Sequence, residues 1–351
     1  MVKISIIYAT ARPDYPMMDR PDIHQFTPLL ESLEKQTFTD FELIISDVYH
    51  EKRSYDFSKH AFPVKHINPS EFSWALKKGL WALQDGFNWG LVHAEGELLL
   101  WFGDCCELVN NDSLQIWWDW YERGFCALAL VVYYRGNRPL LVDEVIARGS
   151  VHGDKSFLHM RRQGTRKEDY MRLVEEGYLK KVVRDSRWKY VEESTNGVYK
   201  CSGQLFYGYS SSSLDDMLKL NGYDSNFDGS KALSDVECGL RLDKIGSQFV
   251  LDEKLWLVEH SHYGIPKEVL WGTPEPGDFR SNYSLMLLNQ KKNQLRANDY
   301  RLTKEELELI VEHGTHWSVP RPEEGSDRHQ LLMDWYNNPP MFDIRTLRLE
   351  V

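Results

Sequence analysis

Apolar residues along this chain come in two textures. Near the N-terminus they form short unbroken runs: VKISIIYAT (2–10), FELIISD (41–47) and GELLLWFGD (96–104), the first closing on a hydroxyl and the other two on an acid. Runs of this length and β-branched content predict buried strands. Between them the spacing lengthens. Thr27 is placed to cap a helix with Pro28 at its first position and Leu29, Leu30 and Leu33 on one face, and SWALKKGLWAL (73–83) repeats apolar residues at helical intervals. Strand, helix, strand, helix, strand is the order of a parallel α/β sheet. Ligands of such sheets bind beyond the carboxyl ends of the strands, which would gather Thr10, Asp47 and Asp104.

The same two textures continue downstream. FCALALVVYYR (125–135) predicts a further strand, and SLDDMLKLNGYD (213–224) a short helix with acids near its start and Asn221-Gly222 as its stop. A helix over 234–246 is expected to open on a capping box, Ser234 with Glu237, and to close at Gly246. KLWLVEHSHYG (254–264) alternates as a strand and puts Trp256, Val258, His260 and His262 on one face. Beyond it the pattern predicts a helix near 282–292, another opened by a Thr303 and Glu306 capping box, and a last short helix after the loop SVPRPEEGSD. Residues 266–351 are thus expected to form a helical C-terminal extension.

Charge narrows the partners. Lys and Arg total 42 against 53 Asp and Glu, so the net charge of −11 opposes a general affinity for nucleic acid or anionic membranes. Residues 148–189 reverse this locally, with twelve Lys and Arg against six Asp and Glu. The plain expectation for them is a solvated helical insertion with i,i+4 ion pairs. A composition of 42% hydrophobic and 13% aromatic residues is that of a globular protein. No run approaches the roughly 18 to 20 apolar residues that span a bilayer, and the N-terminal run is too short for a secretory signal. Cys105, Cys106, Cys126, Cys201 and Cys238 are odd in number and make no C-x-x-C pair, which argues against a disulfide framework and against zinc. A cytoplasmic location is expected, with peripheral contact at a membrane left open.

Four stretches together resemble the family 2 glycosyltransferases, inverting enzymes of the GT-A fold that use nucleotide sugars. ISIIYATAR (4–12) is similar to that family's opening strand and turn, and PLLESLEKQTFTDFELIISD (28–47) to its first helix and second strand. NWGLVHAEGELLLWFGD (88–104) resembles N-x-G-x-x-x-A-x-G-E-Y-I-L-F-L-D, and LNGYDSNFDGSKALSDVECGLRLDKIG (220–246) resembles G-G-F-D-E-x-F-x-G followed by E-D-x-D-L-x-x-R-x-x-x-G. The likeness spans residues 3–262. It implies a mixed, mostly parallel α/β sheet flanked by helices in residues 1–265, with a nucleotide-binding half (1–110), a basic insertion (148–200) and an acceptor half (201–265).

The resemblance also assigns roles. Thr10, Arg12 and Asp47 match the contacts to base and ribose, with Asn88 a weaker addition, and Asp235 matches the aspartate of the E-D pair that serves as general base. Ser234 replaces the glutamate of that pair. His260 and His262 match the region where a histidine joins the acidic motif in holding Mn²⁺ or Mg²⁺. The D-x-D motif itself is degenerate. In one register its aspartates fall at Gly103 and Cys105, in the other at Asp104 and Cys106, so at least one oxygen ligand is missing in either. Thiolates are soft and diphosphate-bridging cations hard, so both cysteines read as small buried hydrophobes. Glu107, the histidines or cationic side chains would then supply the balancing interactions at the diphosphate.

Inverting transfer needs a base for the acceptor hydroxyl and compensation for the charge growing on the diphosphate leaving group. Asp235 and Asp104 fill those two parts. Two other readings stand beside this one. A catalytically degenerate nucleotide-sugar-binding protein would keep the pocket and lose turnover. A GT-A-like nucleotidyltransferase would need a glycine-rich phosphate loop with a lysine after the first strand, and YATARPDYPMMDR has neither. Sequence does not select the acceptor. The basic segment suggests an anionic one: a phospholipid-linked glycan, a charged glycan or nucleic acid.

Overall fold

The structure is a computed structural model and describes residues 2–11, 16–17, 20–80, 82–103, 106–135, 181–184, 187–194, 196–230, 233–259, 280–312 and 321–351. In chain order, β1 (Ile4–Thr10) leads to a small hairpin of β2 (Pro16–Met17) and β3 (Arg20–His24), then to α1 (Thr27–Glu34), β4 (Phe41–Asp47) and β5 (Val64–Ile67). Next come α2 (Trp74–Lys77), α3 (Gln84–His93), β6 (Leu98–Phe102), β7 (Cys106–Leu108), α4 (Ser113–Glu122) and β8 (Phe125–Arg135). After these follow β9 (Lys181–Arg184), α5 (Trp188–Glu193), β10 (Val198–Cys201), β11 (Ser210–Ser213), α6 (Leu214–Leu220), α7 (Ser234–Lys244) and β12 (Gln248–Glu259). The C-terminal part holds α8 (Asn282–Lys292), α9 (Lys304–Glu312), α10 (Asp327–Asn337) and α11 (Ile344–Leu347).

One large sheet organises these elements, in the order β10-β12-β8-β11-β6-β1-β4-β5. β5, β4, β1 and β6 run parallel, β11 is antiparallel to β6 and to β8, and β12 is parallel to β8. Hence six of the eight strands on this path share one direction, and only β11 and β10 oppose it. This is the mixed, mostly parallel α/β sheet the sequence predicts.

Strand alternation builds a core on each face. Ile7, Ile44, Leu99, Trp101, Leu128 and Trp256 belong to one buried cluster, which includes Leu91 of α3, Met217 of α6 and Leu242 of α7. Ile6, Leu43, Leu100, Phe102, Ala129 and Leu257 belong to the other, with Leu30 of α1 and Trp117 of α4. Neighbours in sequence thus face opposite cores, as a period of two requires. The expected buried cysteine, Cys106, sits in the second cluster at 1% exposure. Cys105 lies outside the described residues.

Four sequence expectations change. The helix expected over 73–83 is a single turn: Ser73 caps α2 by accepting a hydrogen bond from Leu76 N, the chain turns at Gly79, and a new helix starts at Gln84. Thr27 is the first residue of α1, not its cap, which is Phe26 without a side-chain bond. The capping box at 234–237 does not form, because Ser234 Oγ accepts from Gln84 Nε2 and Glu237 pairs with Arg241 one turn on. The described end of the basic segment is not helix alone: β9 pairs antiparallel with β8, and while Lys189 is exposed, Arg187 is 3% exposed with its guanidinium donating to Leu205 O. The box at 303–306, by contrast, forms in both directions.

The C-terminal helices are built into the molecule. Leu285, Leu307, Ile310 and Trp335 form a third core with Ala75, Leu80 and Phe227. Ile344 of α11 enters the first core. Asn221, which ends α6 in the left-handed region at φ 58°, donates to Ala297 O and Phe342 O and accepts from Ile344 N. Asn298 ties down the same turn by donating to Asn221 O and Tyr223 O and accepting from Ser225 N. At Gly222, φ is +76° and an added Cβ would lie 2.3 Å from Asn88 Oδ1, so two constraints demand glycine.

Candidate active site

A cleft of about 200 Å³ opens at the carboxyl ends of β1 and β6. Ala9 and Gly103 mark the strand ends, and Leu83, Gln84 and Phe87 come from the start of α3. Tyr207, Gly208 and Tyr209 precede β11, Tyr223 follows α6, Ser234 and Asp235 open α7, and Glu259 ends β12. The position is the one expected for a ligand site in an open α/β sheet.

One group of lining residues depends on a carboxylate far away in sequence. The first turn of α3 has orphan N–H groups, and Asp228 takes three of them: Leu83 N at 2.9 Å and Gln84 N at 3.0 Å on Oδ1, and Asp85 N at 2.8 Å on Oδ2. Gln84 then donates through Nε2 to Ser234 Oγ at 2.5 Å, which joins the start of α3 to the start of α7. Leu233, just before α7, is held in the left-handed region at φ 70°. Asp235 follows Ser234, is half-buried, and accepts from Val236 N at 2.9 Å. Burial pushes its carboxyl above the ordinary aspartate range, and the Val236 N–H and the Arg187 charge pull only partly the other way. The Arg187 guanidinium lies 5.3 Å from the Tyr207 ring centre. A carboxylate so placed holds its proton more tightly than an exposed aspartate does.

Glu237 is turned away from this cleft. It is fully buried and bonded to Arg241 Nε at 2.9 and 3.0 Å, while Arg241 also donates to Gly222 O. Asp235 and Glu237, two apart on one helix, thus point to different tasks, and Glu237's is structural.

A second group surrounds Glu259. Tyr209 donates its hydroxyl to Glu259 Oε2 at 2.9 Å. Its backbone sits at φ 71° and bridges two strands, bonding Trp101 O of β6 and Ala129 N of β8. Gly103 leaves the space: a Cβ there would come within 3.3 Å of the Tyr209 hydroxyl.

Thr10 and Asp47 lie side by side where β1 and β4 end, in register. Asp47 is fully buried and accepts four hydrogen bonds, from Arg53 Nε and Nη2, His66 Nε2 and Tyr49 N. Burial acts to raise its pKa, but the His66 and Arg53 contacts outweigh it and hold the carboxyl below its usual value. With all four lone-pair sites taken, Asp47 orients Arg53 and His66 at the strand ends. Asn88 is fully buried and spends its amide on Tyr223 O, Ser225 Oγ and Tyr223 N. Glu107 is buried in β7 and is not among the cleft-lining residues.

Arg12, Asp104, His260, His262 and residues 148–180 lie outside the described residues. Among those described, no group of three or more His, Cys, Asp or Glu side chains is arranged to hold a metal ion, and no helix is long and apolar enough to cross a membrane. The residues at the cleft that the sequence did not reveal are Gln84, Tyr209, Tyr223 and Glu259. They come from four separate segments, with no common spacing to signal them.

No family model matches the chain, and no characterised protein matches it in sequence. Solved structures similar to it include S. aureus TarS 1–349, at 15% identity and a TM-score of 0.39, over 73% of this chain and 60% of that one. The same S. aureus protein in complex with UDP-GlcNAc aligns at 13% identity and a TM-score of 0.46, over 89% of this chain and 71% of that one. GalNAc-T7 with UDP, GalNAc and Mn²⁺ aligns at 14% identity and a TM-score of 0.43, over 78% of this chain and 46% of that one. Every one of these scores is below 0.5. The fold is therefore defined by the sheet order given above.

Proposed function

We propose that the chain is a nucleotide-sugar glycosyltransferase of the GT-A kind, acting with inversion, and that Asp235 is its general base. The observation that carries the reading is a half-buried carboxylate of raised pKa at the first turn of α7, lining a cleft at the carboxyl ends of the strands. The four-part sequence resemblance supplies the reaction. Asp235 removes the proton of an acceptor hydroxyl as its oxygen forms a bond to the anomeric carbon. The bond from that carbon to the diphosphate breaks on the opposite face, and the nucleoside diphosphate leaves with the electron pair.

Thr10 and Asp47 form the nucleotide edge in this reading, with Asp47 acting through Arg53 and His66. Asp104 follows the cleft-lining Gly103 in sequence and is assigned to the diphosphate, with His260 and His262 as partners for Mn²⁺ or Mg²⁺. The acceptor is assigned to the anionic class on the charge of residues 148–189.

The test is transfer or hydrolysis with a panel of UDP-sugars and GDP-sugars, with and without Mn²⁺. Asp235→Asn should abolish turnover and leave donor affinity unchanged. Donor binding without any turnover, identical in the variant, would establish the binding-protein reading instead.

A further inference from the structure

Glu259 is a second carboxylate in the cleft, and the proposed transfer reaction gives it no task. Three observations show that its position is built. Its backbone ends β12 between two partners, Cys106 of β7 and Tyr133 of β8. Its side chain receives the Tyr209 hydroxyl, and Tyr209 is itself pinned to β6 and β8 in a left-handed conformation that non-glycine residues rarely adopt. Strain of this kind persists where the surroundings over-determine a residue, and it concentrates at ligand sites. Gly103 then spares the hydroxyl a contact that any side chain would bring.

The rest of the lining says what the carboxylate meets. Phe87, Tyr207, Tyr209 and Tyr223 supply aromatic surface, and Asp235 is the other acid. Aromatic surface with two carboxylates suits a ring that is apolar on its faces and carries hydroxyl donors at its rim. We propose that Glu259 reads a sugar: its carboxylate accepts hydrogen bonds from adjacent hydroxyls of a pyranose in the cleft, and Tyr209 is the positioning residue that aims it. This rests on the glycosyltransferase reading and adds a specificity determinant to it. The pyranose belongs either to the donor or to the acceptor, and both present the same hydroxyl chemistry.

The experiment measures binding of UDP-hexoses and GDP-hexoses, and separately of free hexosides, each beside its singly deoxygenated counterparts. Wild type, Glu259→Gln and Tyr209→Phe are compared by titration calorimetry. Bonds from hydroxyls to a charged acceptor imply a roughly 10- to 100-fold loss for the wild type when a contacted hydroxyl is removed. Glu259→Gln should flatten that penalty, and Tyr209→Phe should reduce it without abolishing it. If the Tyr209–Glu259 pair were purely structural, both substitutions would lower stability and leave the deoxy penalty intact. The ligand series that shows the effect, nucleotide sugars or free hexosides, assigns the pyranose to donor or acceptor.

The outcomes separate the two claims. If the wild type binds and turns over nucleotide sugars but both variants pay its full deoxy penalty, the role of Glu259 is overturned and the function stands. If no sugar or nucleotide sugar binds the wild type, the function falls, and the role of Glu259 falls with it. Should Glu259→Gln fail to fold, Tyr209→Phe, which removes a single hydroxyl, carries the same comparison.

Discussion

Replacing Asp228 by asparagine tests how the cleft is framed. Asp228 is 1% exposed and its two oxygens serve three consecutive N–H groups at the start of α3. A carboxamide keeps one acceptor, which can face Leu83 N and Gln84 N, and turns its own N–H₂ toward Asp85 N. One buried donor is then stranded, at a cost of about 1–3 kcal/mol, while burial, which pushes the Asp228 carboxyl well above the ordinary aspartate range, leaves the other bonds little charge assistance to lose. The total is roughly 2 kcal/mol, a sizeable part of a typical 5–15 kcal/mol stability. With an unfolding entropy near 2.1 cal/mol/K per residue, about 0.7 kcal/mol/K over this chain, that corresponds to a Tm lower by about 3 °C. Urea denaturation followed by tryptophan fluorescence at pH 8 measures it. Asp112→Asn is the control, since Asp112 precedes α4 without a side-chain capping bond and should change stability by less than about 0.5 kcal/mol. An Asp228→Asn protein as stable as that control would refute the capping role and the link from α3 to Ser234 built on it.

Three further outcomes are expected. Arg241→Met leaves the Glu237 charge buried without its partner and should cost about 3–5 kcal/mol in the same denaturation experiment, with part of the loss recovered by adding Glu237→Gln; equal loss in the single and double variants would contradict this. Burial foremost raises the Asp85 carboxyl from 3.8 to about 6, so the folded chain binds its proton more tightly than the unfolded chain does. The group's contribution is therefore fully present below about pH 4 and lost as pH rises through about 6. Asp85→Asn should gain stability over wild type across that window and hold a constant advantage above it; a difference independent of pH would exclude the effect. The pH profile of turnover should fall on its acid side at a pH above the ordinary aspartate range, because Asp235 must be ionised to act and its pKa is raised; a rate that stays level down to pH 4 would remove Asp235 as the base.

Much of the sheet was legible in the sequence. β1, β4, β6 and β8 are largely apolar runs, the pattern that burial on both faces of a sheet leaves. α3 was not legible. Gln84, Asp85 and Asn88 are buried along with Phe87, Leu91 and Val92, so polar and apolar residues face inward together and erase the helical period. Its capping residue lies 143 to 145 positions away. The supposed capping box at 234–237 shows the converse, since both of its side chains were claimed by other partners, Gln84 from 150 positions away and the buried Arg241 one turn on. Asp235, which lines the cleft, was singled out in the sequence because a motif surrounds it. Glu259 and Tyr209 were not, because their meeting depends on a left-handed backbone and on strand order, which no local spacing encodes.

The turn at 221–225 has a bearing on how the protein is made. Tyr223 of the cleft sits in that turn, and the turn is tied down by Ala297, Asn298, Phe342 and Ile344. During synthesis the sheet can assemble once β12 has left the ribosome. The wall of the cleft is not complete until residues 342–344 emerge, about 85 positions after the end of β12. A ribosome-bound intermediate would therefore hold a formed sheet and an unfinished cleft, and ligand binding would become possible only as the last residues of the described chain are added.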